Sequence, residues 1–351
     1  VINMAQPLVY IVILNWNGWK DTIECLESVF KQNYHNYFIF VLDNDSADQS
    51  FNRIADWLNG SSDFKIDAIQ ELRHLSSPEI KKPVSFLKCN QIHNLTKKDI
   101  CAGGLALVNT GGNLGFAGGN NVALRWITEN QNEDSYVWLL NNDTVIENDC
   151  LSEMLTHLQS KEKTGRYTCG SLVKFYHQPG VIQALGGAKF NRYTAIGSQT
   201  LGRFLNDQDD IDHTHYQNEM DYITGCSWLL PVDYLTEIGL MEDQYFLYYE
   251  EIDWVIRGEK KYKLTYAPKS IMYHKEGSSI GSKTINRTVP SLLSEFYMSR
   301  NKLLFMRRHY PHRILIAYLV IFLQALNRIK QRQFKNALIL LKVLLGKSKF
   351  K

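Results

Sequence analysis

The chain has 351 residues, 44% hydrophobic and 21% charged, a globular composition long enough for one large domain with an appendage or for two domains. Its net charge of +3 conceals an asymmetry: from Arg300 onward there are 13 Lys and Arg and no Asp or Glu, so a mildly acidic body ends in a basic tail. Six cysteines without a C-x-x-C pair argue against a zinc site or a disulfide framework and fit a reducing compartment.

LVYIVILNW at 8–16 is apolar, β-branched and closed by Asn-Trp-Asn-Gly, which predicts a buried parallel strand. No leader pattern precedes it, and the longest apolar run, 314–323, falls well short of the ~20 residues that span a bilayer. A cytoplasmic location is expected. Ile23, Leu26, Val29 and Phe30 recur at helical spacing, YFIFVLDND at 37–45 reads as a second buried strand, and Phe51, Ile54, Trp57 and Leu58 mark the next helix. This alternation predicts an α/β fold, a doubly wound, mostly parallel sheet flanked by helices. Residues 59–102 break the rhythm and read as an insertion with little core of its own. Strands follow at 105–110 and 136–140, with helices through 122–127 and 150–158. From about Tyr167 shorter, mixed strands are expected, with helical pattern at 231–238, 250–260 and 291–308.

LLNNDT at 139–144 carries the most chemistry. It places Asp143 at the C-terminal end of an apolar strand, where open α/β sheets bind ligands. Beside Asn141 and Asn142, that carboxylate is a good oxygen ligand for Mg²⁺ or Mn²⁺. Asn15, Trp16 and Asn17 follow the first strand, and Asp43, Asn44 and Asp45 follow the second, on the same rim. Amides and carboxylates there suit the edge of a nucleobase or ribose hydroxyls. Asn17 and Ser46 are also good helix N-caps, whereas Asp43 precedes the cap position and is read as a ligand contact. NTGGNLGFAGGNN at 109–121 lets backbone approach a ligand, with Asn113, Gly115 and Asn120 as the residues of interest. It is not a dinucleotide fingerprint.

In 241–258, Glu250, Glu251 and Asp253 open a helix behind the aromatic run Tyr245, Phe246, Tyr248 and Tyr249. The helix dipole favours acids there, but three exceed what capping needs. One such carboxylate can serve as a general base while the rings offer a face to a sugar, and Arg257 is expected to pair one of the acids. His274 ends a short strand and, with Lys275, Ser278 and Ser279, is a candidate for diphosphate or metal contact.

Together these motifs resemble glycosyltransferase family 2, the inverting, nucleotide-sugar-dependent enzymes with a GT-A fold, and within it the rhamnosyltransferase-like branch. VILNWNG at 12–18, LDNDS at 42–46, NTGGNLGFAGGNN, LLNNDT, TGCSWLLP at 224–231 and FLYYEEIDWVIR at 246–257 match in order, over about residues 8–305. The resemblance implies a catalytic domain over 1–305 carrying the 59–102 insertion. It implies nucleotide-sugar contacts from Asn15, Trp16, Asn17, Asp43, Asp45, Asn113, Gly115, Asn120, Asn142 and Trp228, with Asp43 on the base. Asp143 would be the metal-binding end of a DXD-like motif whose first position is here Asn141, and His274 would help hold Mg²⁺ or Mn²⁺ and the diphosphate. The acid pair matches the family's Glu-Asp, whose second member is the expected base. This chain departs there, so Glu251 is the candidate, with Glu250 behind it. The implied donor is a nucleoside-diphosphate sugar, dTDP-rhamnose or a UDP-sugar. The implied acceptor is a saccharide or lipid-linked saccharide in cell-surface polysaccharide synthesis. A non-catalytic nucleotide-sugar-binding or carbohydrate-binding component of a membrane assembly is the competing reading.

The tail, 306–351, reads as basic amphipathic helices. Apolar stretches at 314–326 and 337–345 stand among Arg307, Arg308, Arg313, Arg328, Lys330, Arg332, Lys335 and Lys347. That pattern suits an anionic membrane surface, which would make the chain peripheral at the inner face of the cell membrane. Packing on the catalytic domain or a homodimer seam would use the same apolar faces. Long aliphatics rather than stacking aromatics separate the basic residues, which argues against nucleic acid.

Overall fold

A computed structural model describes residues 6–130, 134–275 and 290–350. The chain opens with β1 (Val9–Asn15), α1 (Trp19–Phe30), β2 (Tyr37–Asp43), α2 (Ser50–Asn59), a single-turn α3 (Arg73–Ser76), β3 (Leu87–Cys89), β4 (Gly104–Asn109), α4 (Gly115–Asn130) and β5 (Tyr136–Asn141). Next come β6 (Thr144–Ile146), α5 (Cys150–Glu162), β7 (Tyr167–Phe175), β8 (Gln178–Leu185), β9 (Gly187–Asn191), β10 (Ile196–Thr200), α6 (His213–Asn218), β11 (Tyr222–Ile223) and β12 (Ser227–Pro231). The last third holds α7 (Val232–Ile238), α8 (Glu250–Gly258), β13 (Lys263–His274), α9 (Leu292–His309), α10 (Ile314–Lys330) and α11 (Phe334–Leu344).

The main sheet runs β3-β4-β2-β1-β5-β12-β7-β13-β6, with β8 added to β7, and its first five strands are parallel. Both faces of this half are covered, so its strands alternate between two cores rather than between core and water. Val9, Ile11 and Ile13 of β1 pack with Ile39 and Val41 of β2 against α1, α2 and α5. Tyr10 and Val12 pack with Phe38, Phe40 and Leu42 against α4, α7 and α8. That is why these runs read as continuous apolar stretches. The architecture is mixed α/β, with a mostly parallel sheet flanked by helices, as the sequence predicts. The strand order reverses between β1 and β5, so the crevice at their C-terminal ends is the expected ligand position.

Within 59–102, Ile66, Ile80, Val84 and Phe86 lean on the core beneath α1 and α2, and β3 adds an edge strand to β4. One expectation fails. β13 is not a short strand but spans Lys263–His274, pairing parallel with β7 and, at its end, antiparallel with β6. Its register slips between Ala267 and Ile271, where Pro268 interrupts the ladder, and that proline hides the strand's length in the sequence.

Geometry at this end is demanding. Only Asn142 and Asp143 separate β5 from β6, a reach of at most about 11 Å from Asn141 to Thr144. In a flat sheet the three strands between them would set β5 and β6 about 19 Å apart. The sheet therefore curls, carrying the end of β13 back towards the β1–β5 crevice. A third core joins Tyr245, Tyr249 and Ile252 to α9, α10 and α11, so the C-terminal helices share their packing with the aromatic run.

Candidate functional site

The rim above β1, β2 and β5 is held by side-chain amides. Asn15 is fully buried: its Nδ2 donates to Asp43 Oδ1 at 2.8 Å and its Oδ1 accepts from Thr22 Oγ1 at 2.9 Å. Asn142 Nδ2 lies 3.0 Å from Thr22 Oγ1 and 3.3 Å from Asn15 Oδ1, tying the turn after β5 to the same network. Asp43 Oδ2 accepts from the Ser46 N–H, so both carboxylate oxygens have partners within the chain. In this structure the Asp43 side chain is buried and orders the loop after β2. Asn17 is corrected as a helix cap. It does not cap α1, whose N-cap is Gly18, but accepts from the N–H groups of Ala47 and Asp48 across the rim. Ser46 is likewise no helix cap, since α2 starts at Ser50 behind Gln49 and the Ser46 Oγ accepts from Asn15 and Asn17. Trp16 is half-buried and Asp45 is exposed with φ 61°, and neither belongs to the apolar cores on the two faces of the sheet.

The glycine-rich segment is ordered by Asn44 rather than by a ligand. The buried Asn44 side chain donates to the Gly115 carbonyl and Asn113 Oδ1 and accepts from Thr110 and the Leu114 N–H. Gly115 has φ 74°, and a Cβ there would lie 2.2 Å from the Phe246 carbonyl oxygen, to which the Phe116 N–H donates. Its role is close backbone approach to the aromatic run, which corrects the expected ligand contact. Asn120 is buried within α4, donating to the Phe116 carbonyl one turn back. Trp228 is also corrected. On β12 it is fully buried between Trp254 and Tyr234, because strand alternation turns it into the core behind the sheet.

Asp143 and His274 do meet. β13 pairs with β6 so that His274 stands opposite Thr144, and the Lys275 N–H donates to the Asp143 carbonyl. His274 Nε2 is 3.1 Å from Asp143 Oδ1, and its Nδ1 is 3.0 Å from the amide oxygen of Gln183 on β8. Gln183 fixes the proton on Nδ1, which turns the lone pair of Nε2 towards the carboxylate. Two such atoms face each other stably with a proton or a cation between them, and 3.1 Å suits adjacent ligands at about 2.1 Å from an octahedral ion. No cluster of three His, Cys, Asp or Glu side chains able to hold a metal occurs among the described residues. The chemistry of the pair therefore fits a divalent cation such as Mg²⁺ or Mn²⁺, which Asp143 and His274 would hold as two protein ligands. Lys275 is corrected as a diphosphate contact: its ammonium sits 2.6 Å from both Asp21 and Glu24. Burial alone would lower its pKa, but those carboxylates prevail and raise it. Ser278 and Ser279 lie outside the described residues.

His274, Asn141, Thr224, Gly225, Glu250 and Glu251 line one cavity of about 380 Å³. The two carboxylates differ. Glu250 is 2% exposed, its Oε2 has no hydrogen-bond partner, and burial followed by the charge of Glu251 pushes its pKa well above the ordinary 4.5. Burial also raises Glu251, but the N–H groups of Gly225 and of Glu251 itself hold its charge. Backbone N–H groups offset part of the rise at Glu250 as well, and two adjacent buried carboxyls do not readily ionise together. A Cβ at residue 225 would lie 2.3 Å from Glu251 Oε1, so Gly225 leaves the room that the longer side chain occupies.

The third acid, Asp253, is structural. It accepts from Tyr245, from Arg257 Nε at 2.8 Å and from His309 Nε2 at 2.6 Å. Burial alone would raise its pKa; His309 and Arg257 lower it. The expected pairing of Arg257 with one of the acids is found here. Of the aromatic run, Tyr245 is buried in the core shared with α9 and Phe246 stacks on Tyr297, whereas Tyr248 and Tyr249 line the cavity beside the two acids. Phe246, Tyr248 and Tyr249 all have φ between 66° and 78°, a left-handed backbone costing roughly 1–3 kcal/mol per residue. Asn301 of α9 holds them. Its buried Nδ2 lies 2.7–2.9 Å from the carbonyl oxygens of Tyr245, Leu247 and Tyr248. Gln183 and Asn301 carry no motif visible in the sequence; Asn44 and Gly225 are hidden inside LDNDS and TGCSWLLP.

No family model matches the chain. It is 26% identical over 155 residues to the low-salt glycan biosynthesis hexosyltransferase Agl10 of Haloferax volcanii, covering 44% of this chain and 46% of that protein. It is 26% identical over 221 residues to the rhamnosyltransferase WbbL of Escherichia coli K12, covering 60% of this chain and 80% of that protein. The chain thus spans about half the length of the first of these relatives. Among solved structures it is similar to the mannosyltransferase PcManGT from Pyrobaculum calidifontis in complex with GDP-Man and Mn²⁺, at a TM-score of 0.48 and 10% identity over 97% of this chain and 87% of that one.

Asn301→Ala is expected to lower stability by about 1–3 kcal/mol, read by urea unfolding, because it strands buried carbonyl groups on a strained segment. Gly115→Ala should destabilise the same junction; wild-type stability in both variants would remove the constraint described here. With its sheet curled about a common cavity and both of these relatives named as sugar transferases, the chain is similar in sequence to glycosyltransferases.

Proposed function

We propose that the chain transfers a sugar from a nucleoside-diphosphate sugar to a hydroxyl of a saccharide or lipid-linked saccharide, with inversion, in cell-surface polysaccharide synthesis. The observation that carries this reading is the shared cavity: His274, paired with Asp143, lines it together with Glu251. The catalytic unit is residues 1–305. The donor is dTDP-rhamnose or a UDP-sugar, rhamnose being favoured by the branch that the motifs resemble and by the relative named rhamnosyltransferase.

Asp143 and His274 hold Mg²⁺ or Mn²⁺, which when bound offsets the charge of the departing nucleoside diphosphate. The half-buried Trp16 and exposed Asn17, Asp45 and Asn113 line the way for the nucleotide, above the network of Asn15, Asp43 and Asn142. Glu251 takes the proton of the acceptor hydroxyl as that oxygen bonds to the anomeric carbon. The bond from that carbon to the diphosphate oxygen breaks, its electrons leave with the nucleoside diphosphate, and the configuration inverts. Glu250, whose pKa burial raises, is the second carboxyl beside that base. A second cavity of about 640 Å³ shares Thr200 and Arg203 with the first and presents Phe204, His215 and Tyr216. It seats the acceptor, aromatic rings meeting sugar faces.

Glu251→Gln is expected to lower turnover about 10²–10⁴-fold with little change in donor affinity, checked by steady-state rates and calorimetric donor titration. Because its pKa lies above 4.5 and the charged form is the active one, turnover should fall as pH drops through a limb above 4.5. That limb should be missing from the residual activity of the variant. If Glu250→Gln gives the large loss and Glu251→Gln does not, the base is misassigned. Asp143→Asn should abolish metal-dependent donor turnover and weaken Mn²⁺ binding by calorimetry while leaving the unfolding curve intact. Full activity in that variant would remove Asp143 from the mechanism.

A further inference from the structure

The C-terminal helices show the largest unpartnered surface. Of the 15 large apolar side chains exposed among the described residues, 11 lie between Leu315 and Leu345. On α10, Leu315, Leu319, Phe322 and Leu326 recur at intervals that share one helix face. Phe334, Leu338 and Leu341 do the same on α11, which packs against α10 after a three-residue turn. The opposite face is already used: Ala317, Ile321 and Ala325 are buried in the core shared with α9. The exposed stripe is therefore surplus to the fold.

We propose that α10 and α11 form a docking surface that lies in the plane of an anionic lipid bilayer, apolar stripes inserted and basic residues at headgroup level. Charge complementarity selects this occupant. Exposed Arg307, Lys330, Arg332, Lys335 and Lys347 border the stripe, and no acidic residue occurs from Arg300 onward. A two-fold seam between copies would instead oppose one basic border with another, with no carboxylate in the segment to offset it. Pro311–Lys330 is long and apolar enough to cross a membrane by length and composition. A crossing helix, however, would have to strip Ala317, Ile321 and Ala325 from their core. It would also break the ion pair of Arg328 with Glu295 at 3.1 Å, which fastens α10 to α9. The same α9 carries Asn301, so the bilayer seat and the strained loop beside the cavity share one helix. The inference stands apart from the transfer chemistry.

The test is flotation of the full chain with vesicles of phosphatidylcholine alone or mixed with phosphatidylglycerol, at low and high salt. Binding is expected only to the anionic vesicles, weakening with salt. Leu319→Asp with Leu338→Asp should lower it at least tenfold, with an unchanged melting curve because both side chains are exposed. Replacing Lys330, Arg332 and Lys335 by Gln should reduce both binding and its salt dependence. Absence of binding to anionic vesicles, equal binding to neutral ones, or retention in the membrane after alkaline carbonate would each overturn the proposal. So would a dimer in sedimentation velocity that the Asp substitutions dissociate while vesicle binding persists.

Discussion

One constraint organises the cavity: two residues, Asn142 and Asp143, must join β5 near the middle of the sheet to β6 at its far edge. Backbone reach cannot bridge a flat sheet over that interval, so the second half of the sheet wraps round. The wrap brings the end of β13 against β6 and sets His274 beside Asp143. A side chain at the switch point of the parallel half thereby meets one from the last strand of the mixed half. Antiparallel pairing fixes that register, because a slip by one residue would turn His274 to the other face.

Around this junction the structure relies on buried amides. Asn15, Asn44, Asn142 and Asn301 each bond several partners remote in sequence. Such networks are rigid when complete and costly when broken, because an unpaired polar group inside the protein has no water to replace its partner. Asn301 illustrates the balance. Left-handed backbone at Phe246, Tyr248 and Tyr249 is unfavourable, and the carbonyl groups it exposes are the ones that Asn301 meets. The resulting segment delivers Glu250 and Glu251 to the head of α8 inside the cavity.

The parallel half of the fold was legible because strands buried on both faces read as unbroken apolar runs, and helices α1, α2 and α5 show their period plainly. β13 was not, since Pro268 interrupts its pattern and the register against β7 slips there, while only its end also pairs with β6. Asp143, His274 and the acid pair could be singled out by chemistry alone, being unusual residue types at strand ends and at a helix start. The rim residues misled for a physical reason. Asn, Asp and Gly near strand ends serve loop closure and ligand contact equally well, and only coordinates show that Asp43 and Asn15 spend their hydrogen bonds on each other. Trp228 misled through strand parity, which a motif does not encode. Gln183 and Gly225 act through partners distant in sequence, His274 and Glu251, so nothing local to them could signal their part.

The central claim is that a cation held by Asp143 and His274 and a proton acceptor at Glu251 serve one bound substrate. A crystal structure of the chain with Mn²⁺ and a nucleoside-diphosphate sugar, with manganese located by its anomalous signal, tests it most directly. The account predicts manganese about 2.1 Å from Asp143 and His274, diphosphate oxygens completing its shell, and the sugar turned towards Glu251. Manganese and diphosphate bound elsewhere, or a sugar facing away from Glu251, would contradict it.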